Sequence, residues 1–542
     1  MSGNISSVGE LEIDSLTGPF DETFAAKLGA LLPEHVANRR WYRAKTRTIS
    51  RIAVEDVLSV PRTNAHLLIL KISYTDADAD RYLLPVSITA QSGQAFEEVV
   101  AKVSSRAGEH GVLYSALGDE PFRGALLNAI VCEETLTGSN GALVATRTSA
   151  LAEGCDPANL GRIPSFVSRA EQSNTSIIYR DRYILKLFRK LEAGVNPDVE
   201  IGRFLTEHGF KNTPAVLGAL EYRAAGGANY GAGILQQFVP NKGDAWKFTL
   251  DSLGEFFARA LSGKRDAPDL PTEHPLDLIG QSASSELRAL IGPYLESAAL
   301  LGKRTAEMHA ALSNPNAAAD FKPEAFTREE GHRLYQDLVG QADMAFELLR
   351  RKQTTLSGPV ADSARELLRI EGKVTERFAG VQNTQITAVR IRHHGDYHLG
   401  QVLYTGQDFM IIDFEGEPAR PLEARRAKAL AMRDVAGMIR SFQYAAFAAL
   451  FGQVPGVPAD AEARRAVEGW AAAWNAYVSS TYLRSYFEHA GDAAFVPSDW
   501  GERRILLDAF LLQKALYEAA YELNNRPDWL AIPLRGILSL MR

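Results

Sequence analysis

The chain has 542 residues, 46% hydrophobic and 23% charged, ordinary values for a globular protein but too long for one core, so two to four domains are expected. The formal net charge is −7 with no basic stripe or tail, which argues against a nucleic-acid partner. The two cysteines, Cys132 and Cys155, form no metal or disulfide pattern, Met1 to Phe20 lacks the basic and apolar regions of a signal peptide, and no apolar run is long enough for a membrane span, so a cytoplasmic globular protein is expected.

Residues 21–37 carry Phe24, Leu28, Leu31 and Leu32 at helical spacing. A basic cluster from Arg39 to Lys45 holds Trp41 and reads as a helix end that packs its ring inward and leaves its charges in water. From Ile52 the pattern changes to strands: Ile52–Val54, Val57–Val60, His66–Ile72 and, after a turn at Thr75–Asp80, Tyr82–Val86. A small curved sheet with one helix is expected. Residues 96–135 alternate helical and turn signals, and 137–165, rich in Gly, Ala and Thr, read as a link or edge strands.

Ile177–Tyr179 and Tyr183–Phe188 read as two strands around the tight turn Asp181-Arg182. Ser173, Asn174, Thr175 and Ser176 precede them, where backbone N–H groups can lie over phosphates. Lys186 stands mid-strand among apolar neighbours, a position that suits a Lys whose head meets an anion. Asn196-Pro197-Asp198-Val199-Glu200 is a helix start, with an N-cap, Pro at the first position and acids in the first turn. Glu200 is placed to reach Lys186. Strands at Ala215–Gly218 and Gly233–Pro240 run into the breaker-rich turn Pro240 to Trp246, which reads as a hinge between lobes near 237–243.

From 246 on the chain is mostly helical. Residues 287–312 form one strongly periodic stretch in which His309 reads as a packed polar residue, and 326–380 read as two long exposed amphipathic helices. Then comes His393-His394-Gly395-Asp396-Tyr397-His398-Leu399-Gly400-Gln401, followed by Ile411-Ile412-Asp413-Phe414-Glu415-Gly416-Glu417-Pro418. Phosphoryl transfer needs a carboxylate beside the acceptor hydroxyl and oxygen ligands for the magnesium on the phosphates. Asp396 fits the first role, and Gln401 and Asp413 the second; a hairpin of Val402–Tyr404 with Phe409–Ile412 brings them together. Asp434, at the start of the next helix, reads as a structural pin for the Asp396 loop. Near the C-terminus Lys514, Tyr517 and Tyr521 share one helix face at i, i+3 and i+7. Rings with hydrogen-bonding heads suit a sugar.

These stretches resemble the aminoglycoside-phosphotransferase-like branch of the protein-kinase fold. HGDYHLGQ, DFEGEP and the K-x-x-Y-E-x-x-Y-E-x-x-N-R-P-x-W ending are similar in particular to the maltokinase family, which phosphorylates maltose with ATP. The resemblance implies an α+β bilobal fold: an N-terminal cap over 1–100, a β-rich nucleotide lobe over 101–245, and a helical lobe over 246–542 with catalytic and metal loops at 393–418 and an acceptor helix at 510–525. It places ATP against Ser173 to Ser176, Lys186 held by Glu200, and the hinge backbone of Gln237 and Val239. Asp396 becomes the base, Gln401 and Asp413 the Mg2+ ligands, and His398, Lys514, Tyr517 and Tyr521 the sugar contacts. There is no G-x-G-x-x-G loop; the residues from Gln172 to Ser176 take its place. The short run Pro418–Leu422 after the metal loop leaves no activation segment, so a small acceptor is expected rather than a protein. Maltose 1-phosphate is the implied product and trehalose synthase the implied partner. Two other readings stand beside it: a kinase of glucosamine or an aminoglycoside, whose cationic acceptor would want Glu415, Glu417, Glu518 and Glu522; and a catalytically silent binding subunit of a glycan enzyme.

Overall fold

The computed structural model describes residues 9–16, 20–90, 98–152, 163–168, 173–262, 274–281, 283–454, 457 and 461–541. Cys155 and Gln172 lie outside them. The chain divides into two compact units, Met1–Pro240 and Asn241–Arg542.

The first unit holds two seven-stranded sheets. The first sheet uses β1 (Glu10–Ile13), β2 (Ile49–Ser59), β3 (Ala65–Tyr74), β4 (Asp80–Thr89), β5 (Val99–Ser105) and β6 (His110–Ser115), in the order β1-β5-β6-β4-β3-β2. The second uses β7 (Thr135–Thr137), β8 (Gly141–Arg147), β9 (Ser165–Val167), β10 (Thr175–Tyr179), β11 (Tyr183–Leu187), β13 (Val216–Ala224) and β14 (Asn229–Gln237), while β12 (Lys190–Leu191) crosses over to pair with β4. The longer helices of the unit are α1 (Glu22–Ala37), α2 (Glu120–Val131) and α3 (Pro197–Glu207).

The β3 sequence explains how the two sheets share a core. Side chains alternate faces along a strand, and β3 is apolar at nearly every position, the mark of a strand buried on both sides. Leu68, Leu70 and Ile72 pack with α1 residues Phe24, Leu28 and Leu32. Leu67 and Ile69 pack instead with Leu126 and Ile130 of α2 and with Leu143 and Leu220 of the second sheet. Asp56, 3% exposed, reinforces the junction: it accepts hydrogen bonds from the backbone of Ser139 (2.8 Å) and Asn140 (3.2 Å) and from the Tyr222 hydroxyl (2.9 Å). Trp41 is buried as its sequence suggests, with the Arg189 guanidinium 4.3 Å from its ring centre.

The second unit is mainly helical: α4 (Ala245–Ser262), α5 (Ser285–Ile291), α6 (Tyr294–Leu312), α7 (Arg328–Lys352), α8 (Gly358–Arg369), α9 (Glu371–Asn383), α10 (Met432–Ala448), α11 (Ala461–Ala490), α12 (Trp500–Asn525) and α13 (Ala531–Leu540). It also carries the hairpin β15 (Val402–Tyr404) and β16 (Phe409–Ile411), paired in the expected register. Among the described residues no helix is long and apolar enough to cross a membrane.

Local expectations are corrected in three places. Residues 99–115 form strands β5 and β6 rather than helix and turn. The periodic stretch 287–312 is two helices, because Gly292 takes a left-handed φ of 66° and Pro293 follows it, a helix stop. The exposed region 326–380 is three helices, with a Ser-Gly-Pro break between α7 and α8.

Candidate active site

In the first unit, the hairpin β10–β11 sets Thr175 opposite Leu187 and Ser176 opposite Lys186. Thr175 and Ser176 are therefore strand residues, and only Ser173 and Asn174 precede the strand. Directly paired residues share a sheet face, so the Ser176 hydroxyl, buried and without a hydrogen-bond partner, stands beside Lys186. Lys186 Nζ lies 3.5 Å from Asp198 Oδ2, a pair whose side chains are 11% and 1% exposed. Sequence reasoning placed Glu200 to reach Lys186; Asp198, two positions earlier on α3 and not singled out beforehand, lies against it. The N-cap explains the placement. Asn196 Oδ1 accepts from the backbone N–H of Asp198 (2.9 Å) and Val199 (3.3 Å), which turns the Asp198 side chain inward at the first turn. Glu200 is half-buried on that turn. At the hinge, the Gln237 amide donates to Ala215 O and the Phe238 amide to Arg182 O, so both serve the sheet. A cleft of about 830 Å3 between α1, β2 and the β13–β14 turn includes none of the expected nucleotide residues.

In the second unit the two signature loops touch. Gly395 (φ 84°) and Gly416 (φ 71°) are both left-handed, and a Cβ on Gly395 would sit 3.2 Å from Gly416 Cα, so glycine is required there for the close approach. The His394 ring shares a 2.9 Å hydrogen bond with Ile412 O, and the Ile412 amide donates to Gln401 O at 3.0 Å. These two bonds, one from the His394 ring and one between backbones, tie the loop that carries Asp396 and Gln401 to the strand end that carries Asp413. Asp413 itself has φ 68°, a strained conformation of the kind that collects at functional sites. The carboxylates of Asp413 and Glu415 come within 4.8 Å of each other. With the Gln401 amide oxygen they offer the hard oxygen donors that Mg2+ takes.

Asp434, 1% exposed, pins the Asp396 loop as its position suggests: Oδ2 accepts from His394 N (2.8 Å) and Oδ1 from Gly395 N (2.9 Å). Burial alone would raise its pKa, but the His309 hydrogen bond and the charges of neighbouring histidines hold it well below the usual carboxylate range. Burial brings His393 down to about 4.

Asp396 is flanked by Lys514 and His398. Lys514 Nζ of α12 lies 3.1 Å from Oδ1, and His398 Nε2 lies 3.9 Å from Oδ2. Burial would raise the Asp396 pKa, but the charge of Lys514 first, then that of His398, outweighs it and the net shift is downward. Burial in turn lowers Lys514, and Asp396 more than reverses that. His398 is held down by burial against the pull of Asp396. The Lys514 ammonium lies 5.0 Å from the Tyr517 ring centre, whereas Tyr521 is 46% exposed and meets Arg526 instead. A cavity of about 30 Å3 beside Asp396 is lined by Gln341, Glu417, Gln513, Lys514 and Tyr517. That is room for about one water.

Three of the carboxylates that would suit a cationic acceptor are already engaged by arginine. Glu518 takes the Arg440 guanidinium at 2.9 Å, Glu417 takes Arg420 at 3.0 Å, and Glu522 takes Arg526 at 2.7 Å. Arg440 and Gln341 carry no motif that could have singled them out beforehand.

Two curled sheets carrying a buried Lys, and a helical unit with His-Gly-Asp and Asp-Phe-Glu loops, define an α+β kinase-like fold. The chain is similar over 94% of its length to solved structures of glucosamine kinase: one in complex with glucosamine, ADP and inorganic phosphate (TM-score 0.61, 19% identity, 99% of that chain) and a crystal form B (TM-score 0.62, 18% identity, 99% of that chain). Residues 35–119 match the maltokinase N-terminal cap domain. The protein is thus a cap-bearing member of the kinase-like fold, and the cap supports the maltokinase-family resemblance of its loops. In sequence it is 24% identical over 376 residues to a glucosamine kinase of Mycolicibacterium smegmatis, covering 68% of this chain and 78% of that protein. It is 26% identical over 248 residues to one of Streptacidiphilus jiangxiensis, covering 45% of this chain and 49% of that protein.

Proposed function

We propose that this protein transfers the γ-phosphoryl group of ATP to the anomeric hydroxyl of a neutral reducing sugar, maltose, giving maltose 1-phosphate. The observation that carries the reading is the Lys514 ammonium 3.1 Å from Asp396 Oδ1. A cation seated on the base repels an ammonium acceptor and donates to a neutral hydroxyl. It also keeps Asp396 ionised but weakly basic, and a weak base suits the most acidic hydroxyl of a reducing sugar, the anomeric one.

In the reaction the sugar displaces Lys514 from Asp396, and Lys514 turns its donors to a sugar oxygen. Asp396 accepts the anomeric proton as that oxygen bonds to the γ-phosphorus and the bond to the β-phosphate oxygen breaks, releasing ADP. Lys186, steadied by Asp198, offers its charge to the phosphates. Gln401, Asp413 and Glu415 would hold Mg2+, which when bound neutralises phosphate charge. Holding the groups in line and balancing charge supply most of the rate. A cytoplasmic role feeding glucan synthesis, with trehalose synthase as partner, belongs to the same proposal.

A second reading, glucosamine as acceptor, is favoured by the glucosamine kinases among the relatives. One experiment separates them: Mg2+-dependent ATP consumption against maltose, glucose, glucosamine, trehalose and kanamycin, with the product read by 31P NMR. Turnover on maltose with an anomeric phosphate supports the first reading. Preference for glucosamine overturns it, and turnover on none of the panel overturns both.

A further inference from the structure

Two buried residues of α6, Thr305 and His309, lie one helical turn apart and face two buried residues of α11 with the same spacing, Tyr482 and Tyr486. The Tyr486 hydroxyl is 3.0 Å from His309 Nδ1, and His309 Nε2 is 3.2 Å from Asp434 Oδ2. The Tyr482 hydroxyl is 3.2 Å from Thr305 Oγ1, which is 3.1 Å from the Tyr397 hydroxyl. Asp434 holds Gly395 N, and Tyr397 follows Asp396, so the two chains of bonds end on either side of Asp396.

Proton counting gives both chains a direction. The Thr305 hydroxyl has one proton and donates it to Leu301 O at 2.8 Å, so its oxygen accepts from both Tyr482 and Tyr397. Asp434 is an acceptor only, so His309 carries a proton on Nε2, and in the neutral ring Nδ1 accepts from Tyr486. Burial raises both α11 tyrosines well above their usual range, which keeps them donors. The helices can approach this closely because of Gly302, where a Cβ would lie 2.4 Å from Tyr482 O.

We propose that these two bond chains form a ladder that aims the Asp396 carboxylate, with Thr305, His309, Tyr482 and Tyr486 as its positioning residues. The ladder rests on Asp396 acting as base. The loop needs such support because Gly395, next to Asp396, has the freest backbone in the loop, and loss of alignment by about 1 Å costs on the order of 10²-fold in rate.

The test uses the full chain with Mg2+-ATP and the accepted sugar, measuring kcat, both KM values and thermal midpoint. Tyr486→Phe and Thr305→Val each remove one bond with little change in volume, and each is expected to lower kcat about 10-fold while both KM values hold. His309→Leu should lose more, and His309→Gln should recover part of that loss, since its amide can still donate to Asp434. In an Asp396→Asn background the same changes should cost nothing further, because the group they aim is gone. Should His309→Leu fail to fold, Tyr486→Phe and Thr305→Val carry the test. Unchanged kcat in the rung variants while Asp396→Asn is inactive overturns the ladder alone. Losses that persist in full in the Asp396→Asn background also overturn it, since they would reflect general damage to the fold. Full activity of Asp396→Asn overturns the base assignment and the ladder together.

Discussion

Asp396 owes its character to its neighbours. Burial alone would make it a stronger base and a poorer anion; Lys514 reverses both tendencies. Replacing Asp396 by Ala should lower kcat by about 10²-fold or more, the scale of a lost general base, with the circular dichroism spectrum unchanged; a variant with full activity would remove Asp396 from the mechanism. Lys514→Met gives a prediction with a defined sign. A base at Asp396 would work only when ionised, so on the proposed mechanism the rate falls as pH drops through its pKa. With Lys514 gone the ammonium charge that lowers this pKa is lost and burial raises it, so the acid limb of kcat/KM should move to higher pH. The same variant should discriminate less against glucosamine. An acid limb that stays in place would show that Lys514 does not set the ionisation of Asp396. At this scale the sequence was informative about identity and silent about partners. Asp396, Gln401, Asp413 and Lys514 stand out by spacing, whereas the contact between Lys514 and Asp396, 118 positions apart, is visible only in the fold.

Elements position these residues through their ends. The first turn of α3 is the plainest case, since Asn196 caps two amides of the turn that carries Asp198 to Lys186. Asn196→Ala should cost about 1 kcal/mol of stability in a urea titration. It should also raise KM for ATP, because Asp198 would no longer be held against Lys186. A lost stability increment with KM unchanged would confine Asn196 to capping. The helix start itself was legible, as N-cap, Pro and acids are local signals. The contact of Asp198 with Lys186 was not, because that depends on how the sheet packs under α3. The single periodic stretch over 287–312 failed for a different reason: a Gly-Pro step interrupts neither the apolar pattern nor the charge pattern, but it ends the helix all the same.

For the molecule as a whole, the cap is not an appendage. Leu67, Ile69 and Leu83 of its sheet share one core with α2 and the second sheet, and Asp56 ties the two sheets by hydrogen bonds. A chain starting at residue 120 should therefore expose that apolar face and aggregate or melt without cooperativity; a folded monomer by size-exclusion and thermal melting would mean that the lobe stands alone. A boundary drawn at residue 100 falls inside β5; the first sheet runs on through β6 to Ser115, and the change of sheet after it is not a break in packing.

What the sequence by itself determined was the set of chemical groups and their local settings: a His-Gly-Asp loop, an Asp delivered by a short hairpin, a Lys inside a strand, and a helix face bearing Lys and Tyr. Each is encoded by neighbours a few residues away, through turn glycines, caps and periodicity. The tertiary structure alone decided which groups meet. Asp198 lies against Lys186, Lys514 pairs with Asp396, Arg440 and Arg526 take up two of the glutamates, and His309 reaches Asp434. Such contacts join residues far apart in the chain, and only the packing of sheets and helices brings them within bonding distance.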